Sequence, residues 1–512
     1  MMSVVDTDVE LQLEPLLLPN NPEFTTEDPL GYSDTDEYPV QVYSILESLL
    51  FRKFKSTSQT IPPESLTSEF ISVISDLSYT LHNRPDPNLN ILKHCVTSKP
   101  DPISHIQSII HSASKLPTLF PSGSLHPLNP GETRTYTKAH LLSILSHQFL
   151  LTLPCPKWNN WGGVNLTSWY SDTDGITEPK TTYTNIILDY FNQSTASPST
   201  QSQEFTFHLY HNQSLPPFTQ KTALIPLKLL ELPIEEDFPT ITPPPNKNLH
   251  TTYIISSHKL IGHGPSATQE ERILGSIPEL LPVSTFTPPL EENTALAVTA
   301  STDGGFIPTA VFTGHGRTAR KDDGYNREEY ENGDKEGRIR VNTFLFLNAT
   351  ELDTVEVPER KDGNGMLPDF LPGVLQKDFL KAYTGFFGVF DSQARKEGKK
   401  KNQRIVATPW GSGAFGGDVR VKLLILWVAA SFAAARLEEG EQQAELVFLV
   451  KQFVVDAKEV WWKEMLKKIQ DSGVGADDVW RVLMGMEGNS NANVNVLEGV
   501  VDALGLERPH VM

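Results

Sequence analysis

Cysteine is nearly absent: Cys95 and Cys155 are the two that 512 residues supply. That is too few for a disulfide framework or a cysteine-based metal cluster, and it points to a reducing compartment. Sequons such as Asn165-Leu166-Thr167 are then chance matches, because they matter only in a secreted chain. Positive charge is also scarce. Lys and Arg number 43 against 63 Asp and Glu, a formal net charge of −20. Nucleic-acid binders usually show a basic face or stripe, and the clearest basic cluster here is Lys399-Lys400-Lys401. It lies in a polar stretch and reads as a solvated loop, so direct nucleic-acid binding is not expected. Long apolar runs are missing too. The longest, Leu423 to Ala435, falls well short of the roughly 20 residues of a membrane span and reads as a buried core helix. Met1 to Leu18 carries acids and no basic flank, so no signal peptide and no membrane association are expected. An anionic ligand would have to be held by local dipoles and backbone amides rather than by net charge.

What is present is a chain long enough for two to four structural units, rich in proline and ordinary in its apolar content. Residues 1–38 are acidic and proline-punctuated, and read as a poorly ordered tail. Helical stripes follow: Val42, Ile45, Leu46, Leu49 and Leu50, then Phe70, Val73, Ile74 and Leu77. A third stripe, Leu141, Leu142, Leu145 and Phe149, starts after Thr137 as an N-cap and stops at Pro154. From about residue 200 the period changes. Phe205, Phe207 and Leu209 alternate with polar neighbours, the strand pattern. Short β-rich runs follow at 251–257, 295–300, 309–313, 343–347 and 404–407, with helical patterns at 419–437 and 454–469. Strands mixed with helices predict an α/β layered sandwich.

Two segments could carry chemistry. The first is Gly262-His263-Gly264-Pro265-Ser266-Ala267-Thr268-Gln269-Glu270-Glu271. Its small residues allow a backbone to approach a ligand closely, and Ser266 with Gln269 matches a capping box at a helix entrance. A plain helix N-terminus with acids offsetting its dipole explains the same letters. The second is Trp410-Gly411-Ser412-Gly413-Ala414-Phe415-Gly416-Gly417-Asp418, between a strand pattern and a helix pattern. Strand, glycine-rich loop and helix N-terminus make an anion-binding geometry. A glycine-rich connection with Phe415 as a core plug stands beside that reading. The Lys-Ser/Thr ending of a Walker loop is missing. His258 and His263 lack the partners of a metal site, and no nucleophile-elbow motif supports a serine triad.

Together and in this order, the two segments resemble the poly(ADP-ribose) glycohydrolase family. Its signature, a Gly-rich loop followed by Gln-Glu-Glu, is matched by Gln269-Glu270-Glu271. Its second motif, Ala-Thr-x-x-Trp-Gly-x-Gly-Ala-Phe-Gly-Gly-Asp, is matched by Ala407-Thr408-Pro409-Trp410 through Asp418, one residue shorter before the Trp. Between them Lys381-Ala382-Tyr383-Thr384-Gly385-Phe386 is similar to a family segment, and Leu141 to Pro154 resembles a helix of the family's accessory domain.

The resemblance implies a macrodomain-like α/β/α sandwich with a mostly α-helical N-terminal accessory region. The expected layout is a disordered acidic tail (1–38), the helical accessory region (39–200) and a macrodomain-like glycohydrolase domain with C-terminal helices (201–512). It further implies hydrolysis of the ribose–ribose O-glycosidic bonds of poly(ADP-ribose), acting on that polymer and on ADP-ribosylated proteins. No metal or other cofactor is expected, and the protein is expected as a monomer in the nucleus, the cytoplasm or both, within polymer catabolism in the DNA damage response. Cleavage of such a bond passes through an oxocarbenium-like state, with a carboxylic acid protonating the leaving oxygen. Adjacent glutamates diverge too far to flank one bond, so their roles split. By the family pattern Glu271 is the general acid/base and Glu270 binds ribose hydroxyls. Gln269, Gly262 and Gly264 line the substrate. Gly411, Gly413, Ala414 and Gly416 belong to the diphosphate cradle, and Phe415 packs against the ligand.

The departures are specific. An Asp-Phe-Ala-Asn stretch of the family falls near Thr252-Tyr253-Ile254-Ile255, which lacks both polar residues. A triple glycine is reduced to Gly262-His263-Gly264, and His315 stands where the family has a substrate-binding Tyr. Two readings remain open: an active glycohydrolase, and a catalytically weakened ADP-ribose reader of the same fold.

Overall fold

The computed structural model describes residues 13–28, 30–32, 38–55, 62–84, 87–159, 163–196, 201–218, 221–232, 249–301, 305–310, 312–313, 320–321, 341–355, 367–395, 401–436, 443–451, 459–488 and 496–508. An eight-stranded sheet organises them. Its strands are β1 (Thr133–Thr137), β2 (Glu204–His211), β3 (Leu227–Leu232), β4 (Leu249–Ser257), β5 (Thr294–Ala300), β6 (Thr343–Asn348), β7 (Asn402–Ala407) and β8 (Ala444–Lys451). Their spatial order is β1-β2-β5-β6-β4-β7-β8-β3. The β1-β2-β5-β6 pairings are antiparallel, and those from β6 through β4, β7 and β8 to β3 are parallel.

Parallel strands are covered on both faces, so their sequences read as continuous apolar runs rather than clean alternations. β6 shows why. Phe344 and Phe346 enter one core, while Leu345 and Leu347 enter the other. The first core is filled by the N-terminal helices α1 (Pro63–His82), α2 (Asn90–Thr97), α3 (Pro102–Ala113), α4 (Lys138–Phe149) and α5 (Glu178–Ala196), joined by α6 (Gln269–Ser276). The second is filled by α7 (Val374–Ala394), α8 (Val419–Ala434), α9 (Glu459–Asp471), α10 (Ala476–Met486) and α11 (Val496–Ala503). The architecture is an α/β/α sandwich, as expected.

Local chemistry sets the helix starts. Thr137 accepts the His140 amide at the head of α4, and Asp101 accepts the Ser104 amide at the head of α3. The run 423–433 within α8 is buried all round, as a core helix should be. At Gly385 of α7 a Cβ would stand 2.9 Å from Leu347 Cδ2, so glycine there lets α7 lie close on the sheet. Among the described residues no helix is long and apolar enough to cross a membrane.

The structure departs from the sequence reading at several points. The disordered tail does not extend over the described part of residues 1–38: Leu16–Leu17 pairs antiparallel with Ser124–Leu125, and Leu18 is fully buried. A leucine cluster too short to show periodicity still finds an apolar seat. The sheet also crosses the expected boundary near residue 200, since β1 comes from the N-terminal part. Among the described residues of the run 309–313, Phe312–Thr313 forms a strand, paired with Arg320–Lys321 outside the large sheet. α4 ends at Phe149, and α8 at Ala434, each short of its sequence-predicted end.

Candidate functional site

In an open sheet the ligand crevice lies outside the carboxyl ends of the parallel strands, where the connections diverge. Here that edge is formed by the loops after β4, β6 and β7. Both segments singled out from sequence lie on it: 258–271 follows β4, and 408–418 follows β7.

The first loop is built around the two glutamates that open α6. Glu270 is buried, and its two oxygens accept the backbone amides of His258 (2.9 Å) and Gly262 (3.1 Å). Burial pushes its carboxyl up to about 8, the two amide bonds oppose this, and the neighbouring Glu271 adds to the rise. Glu271, also buried, accepts from the Thr268 amide (2.9 Å) and from Ser266 Oγ (3.0 and 3.1 Å to its two oxygens). Gly264 lies directly against it: a Cβ there would overlap Glu271 Oε1 and stand 2.9 Å from Cδ. Gly262 has no such constraint.

The helix entrance differs in detail from the sequence expectation. The capping box is Thr268 with Glu271, not Ser266 with Gln269. Ala267 adopts a left-handed φ of 57°, and this turn brings Thr268 rather than Ser266 to the N-cap. Gln269 is turned inward. Its Oε1 accepts the Ser256 amide (3.0 Å), and its Nε2 lies 3.4 Å from Tyr253 Oη and from Ile254 O, so it ties α6 to β4.

The second loop is a compact ring. Gly417 donates to Gly411 O (3.0 Å) and Gly416 to Gly413 O (3.2 Å), with Gly411 and Gly416 at φ of 69° and 70°. Trp410 anchors it, fully buried and donating Nε1 to Leu347 O (2.9 Å). The amides of Gly413, Ala414 and Phe415 donate to no group among the described residues. They are therefore the donors open to an anion. The N-terminus of α8 is not, because the Asp418 carboxylate accepts the Arg420 (2.8 Å) and Val421 (3.3 Å) amides. The anion-binding geometry expected from strand, loop and helix dipole thus reduces to the loop amides.

Under the ring lies a buried ion cluster. Lys422 Nζ is 3.0 Å from Asp369 Oδ1 and bonds Asp378 Oδ2. Asp369 also accepts the Asp418 amide (2.7 Å), while Asp378 accepts both the amide and hydroxyl of Thr350 (2.9 and 2.8 Å). Burial disfavours the Lys422 cation, but Asp378 and Asp369 outweigh it and hold its pKa above the ordinary lysine value. This cluster was not read from sequence. A Lys three residues into an apolar helix looks like a surface position until Asp369 and Asp378 are seen to converge on it.

His258 joins the two loops, and its role was also missed. The Leu260 amide donates to its Nδ1 (3.1 Å), which places the proton on Nε2, 3.3 Å from Glu351 Oε1. Its ring stands 6.3 Å from that of Phe415, whose carbonyl accepts the Leu352 amide (2.9 Å). Ser256 Oγ, Ser257 Oγ and Asn348 Oδ1 are buried at the ends of β4 and β6 without a protein partner among the described residues, the condition of groups that bond a ligand or water. Glu271, Glu270, Gln269, Gly262, Gly264, Gly411, Gly413, Ala414, Phe415 and Gly416 thus share one edge of the sheet. His315 lies outside the described residues. Among the described residues no group of three or more His, Cys, Asp or Glu is placed to hold a metal ion.

The family model described as poly(ADP-ribose) glycohydrolase (PARG), Macro domain fold, matches residues 246–439. That span holds the four central strands β5, β6, β4 and β7 and both loops of the crevice. Over this segment the chain is similar to the poly(ADP-ribose) glycohydrolase family and its macro domain fold.

Proposed function

We propose that the protein hydrolyses the ribose–ribose O-glycosidic bonds of poly(ADP-ribose) and releases ADP-ribose. The observation that carries this reading is the pairing, on one sheet edge, of a buried Glu270-Glu271 dyad with a glycine ring in which the amides of Gly413, Ala414 and Phe415 donate to no group among the described residues. The ring suits a diphosphate, and a chain of net charge −20 has little else with which to hold one.

In this mechanism Glu271 donates its proton to the oxygen leaving the anomeric carbon. The C–O bond breaks, and positive charge develops on the ribose ring. Glu271, now a carboxylate, takes a proton from water as that water attacks the anomeric carbon, which restores the acid. The phosphates held by Gly413, Ala414 and Phe415 stabilise the developing cation. Glu270 keeps the loop closed through the amides of His258 and Gly262 and offers its carboxyl to the ribose hydroxyls.

One observation favours a second reading, a binding protein with little turnover. Both Glu271 oxygens are engaged by its own loop, so acid catalysis requires the Ser266 bond to be given up. Incubation with purified poly(ADP-ribose), followed by chromatography of free ADP-ribose, separates the two. Release supports the hydrolase. Binding of ADP-ribose without release supports the reader and overturns the proposal.

A further inference from the structure

Two residues that help to fix the catalytic loop, Asn165 and Trp169, lie outside the segment that matches the family. Residues 263–265 make only two polar contacts among the described residues, and both go to the helical region. His263 Nε2 donates to Asn165 O (3.0 Å), and Trp169 Nε1 donates to Gly264 O (3.0 Å). Gly264 is the residue that lies against the Glu271 carboxylate. Its carbonyl is therefore the handle through which the distance between loop and carboxylate is set.

Each partner is itself immobilised. Asn165 Nδ2 donates to Leu153 O (2.7 Å) and its Oδ1 accepts the Leu153 amide (3.3 Å). Trp169 is fully buried, stacked on Tyr183 with centroids 4.7 Å apart and planes at 28°, and meets His263 edge-on at 5.3 Å. Tyr183 reaches α6 as well: a Cβ at Gly275 would stand 2.5 Å from its Cε1. One aromatic pair thus contacts the loop before Glu271 and the helix after it. The loop needs such support, because Ala267 occupies a left-handed conformation that disfavours a residue with a Cβ. His263 contributes as a neutral donor, since burial pushes its imidazole down to about 4.

We infer that Trp169, with Asn165 and His263, is a positioning residue for Glu271: the helical region clamps the 263–265 stretch and sets the carboxylate in place. The inference rests on the proposed role of Glu271. Trp169→Phe keeps the ring stack and deletes the donor. His263→Gly deletes the second contact, and His263→Gln replaces the imidazole Nε2–H with an amide N–H.

The test uses the full chain and two readouts, hydrogen exchange of the 262–271 peptide and steady-state release of ADP-ribose. Trp169→Phe and His263→Gly should raise exchange by about five-fold or more. They should lower kcat by roughly ten- to a hundred-fold, leave ADP-ribose affinity within about two-fold and hold KM nearly constant. His263→Gln should recover most of the loss. Unchanged exchange in both deleting variants overturns the clamp. So does faster exchange with unchanged kcat, because the loop would then be held without positioning the acid. If the wild type releases no ADP-ribose, the hydrolase reading fails by itself, and the exchange data alone decide the clamp. Should Trp169→Phe not fold, the His263 pair carries the test.

Discussion

Gly264→Ala perturbs the proposed acid, Glu271, from the facing loop. The added methyl would overlap Glu271 Oε1 and stand 2.9 Å from the carboxyl carbon. Carbon atoms pack at about 3.5–4.0 Å, so the carboxylate must retreat by about 1 Å or more. Its side chain is flexible and can do so, at the expense of the Thr268 and Ser266 bonds that now hold it. Losing that half of the capping box costs about 1 kcal/mol, or roughly 1 °C in Tm for a chain of this size. Catalysis is far more sensitive, since a 1 Å misplacement costs on the order of 100-fold. The variant should therefore fold, bind ADP-ribose within about three-fold of wild type, the glycine ring being untouched, and release it about 100-fold more slowly. The assay is initial-rate release of ADP-ribose from polymer, with titration calorimetry for binding and a thermal melt for folding. Wild-type kcat in Gly264→Ala would refute the placement of Glu271 as the acid.

Three further outcomes follow from buried groups. Glu270 holds its proton in the folded state up to about pH 8 and loses it near 4.5 in the unfolded chain. Between those values the folded state binds the extra proton, so wild-type stability should fall as pH rises, by up to about 1.4 kcal/mol per pH unit. Urea unfolding from pH 5 to 8 should show this slope in wild type and lose it in Glu270→Gln; parallel curves would contradict it. Lys422→Met strands Asp369 and Asp378 in a fully buried site and should destabilise by about 3–5 kcal/mol. A change below about 1 kcal/mol in urea unfolding would refute the ion cluster's structural role. Gly417→Ala sets a Cβ 2.8 Å from Gly411 O and against Lys422, so the ring must open. ADP-ribose Kd should weaken about ten-fold by calorimetry, and an unchanged Kd would contradict the ring as the diphosphate cradle.

The elements that surfaced in the sequence are those whose pattern is local. β2 declared itself by Phe205, Phe207 and Leu209, and α8 by an unbroken apolar run. β3, with Leu227-Lys228-Leu229-Leu230-Glu231-Leu232, carries no β-branched residue and reads as readily helical; its partner β8 makes it a strand. β8 itself is an apolar run of a kind that periodicity alone does not assign. β1 was hidden because Thr133–Thr137 runs straight into α4, and its strand identity rests on a partner about 70 residues away. The same division holds at the site. Glu270, Glu271 and the glycine ring stand in contiguous motifs, which is why the sequence singles them out. Lys422 with its two aspartates, His258 with Glu351, and the Trp169 contact with Gly264 are unions of distant segments, which no local spacing announces.

The most direct test of the central claim compares wild type with Glu271→Gln on purified poly(ADP-ribose). The substitution keeps the size of the side chain and one acceptor for the Thr268 amide, and removes the proton that the mechanism needs. Loss of ADP-ribose release by about 1,000-fold or more, with ADP-ribose affinity kept within a few-fold, is the result expected of the general acid/base. Turnover retained in Glu271→Gln would contradict it.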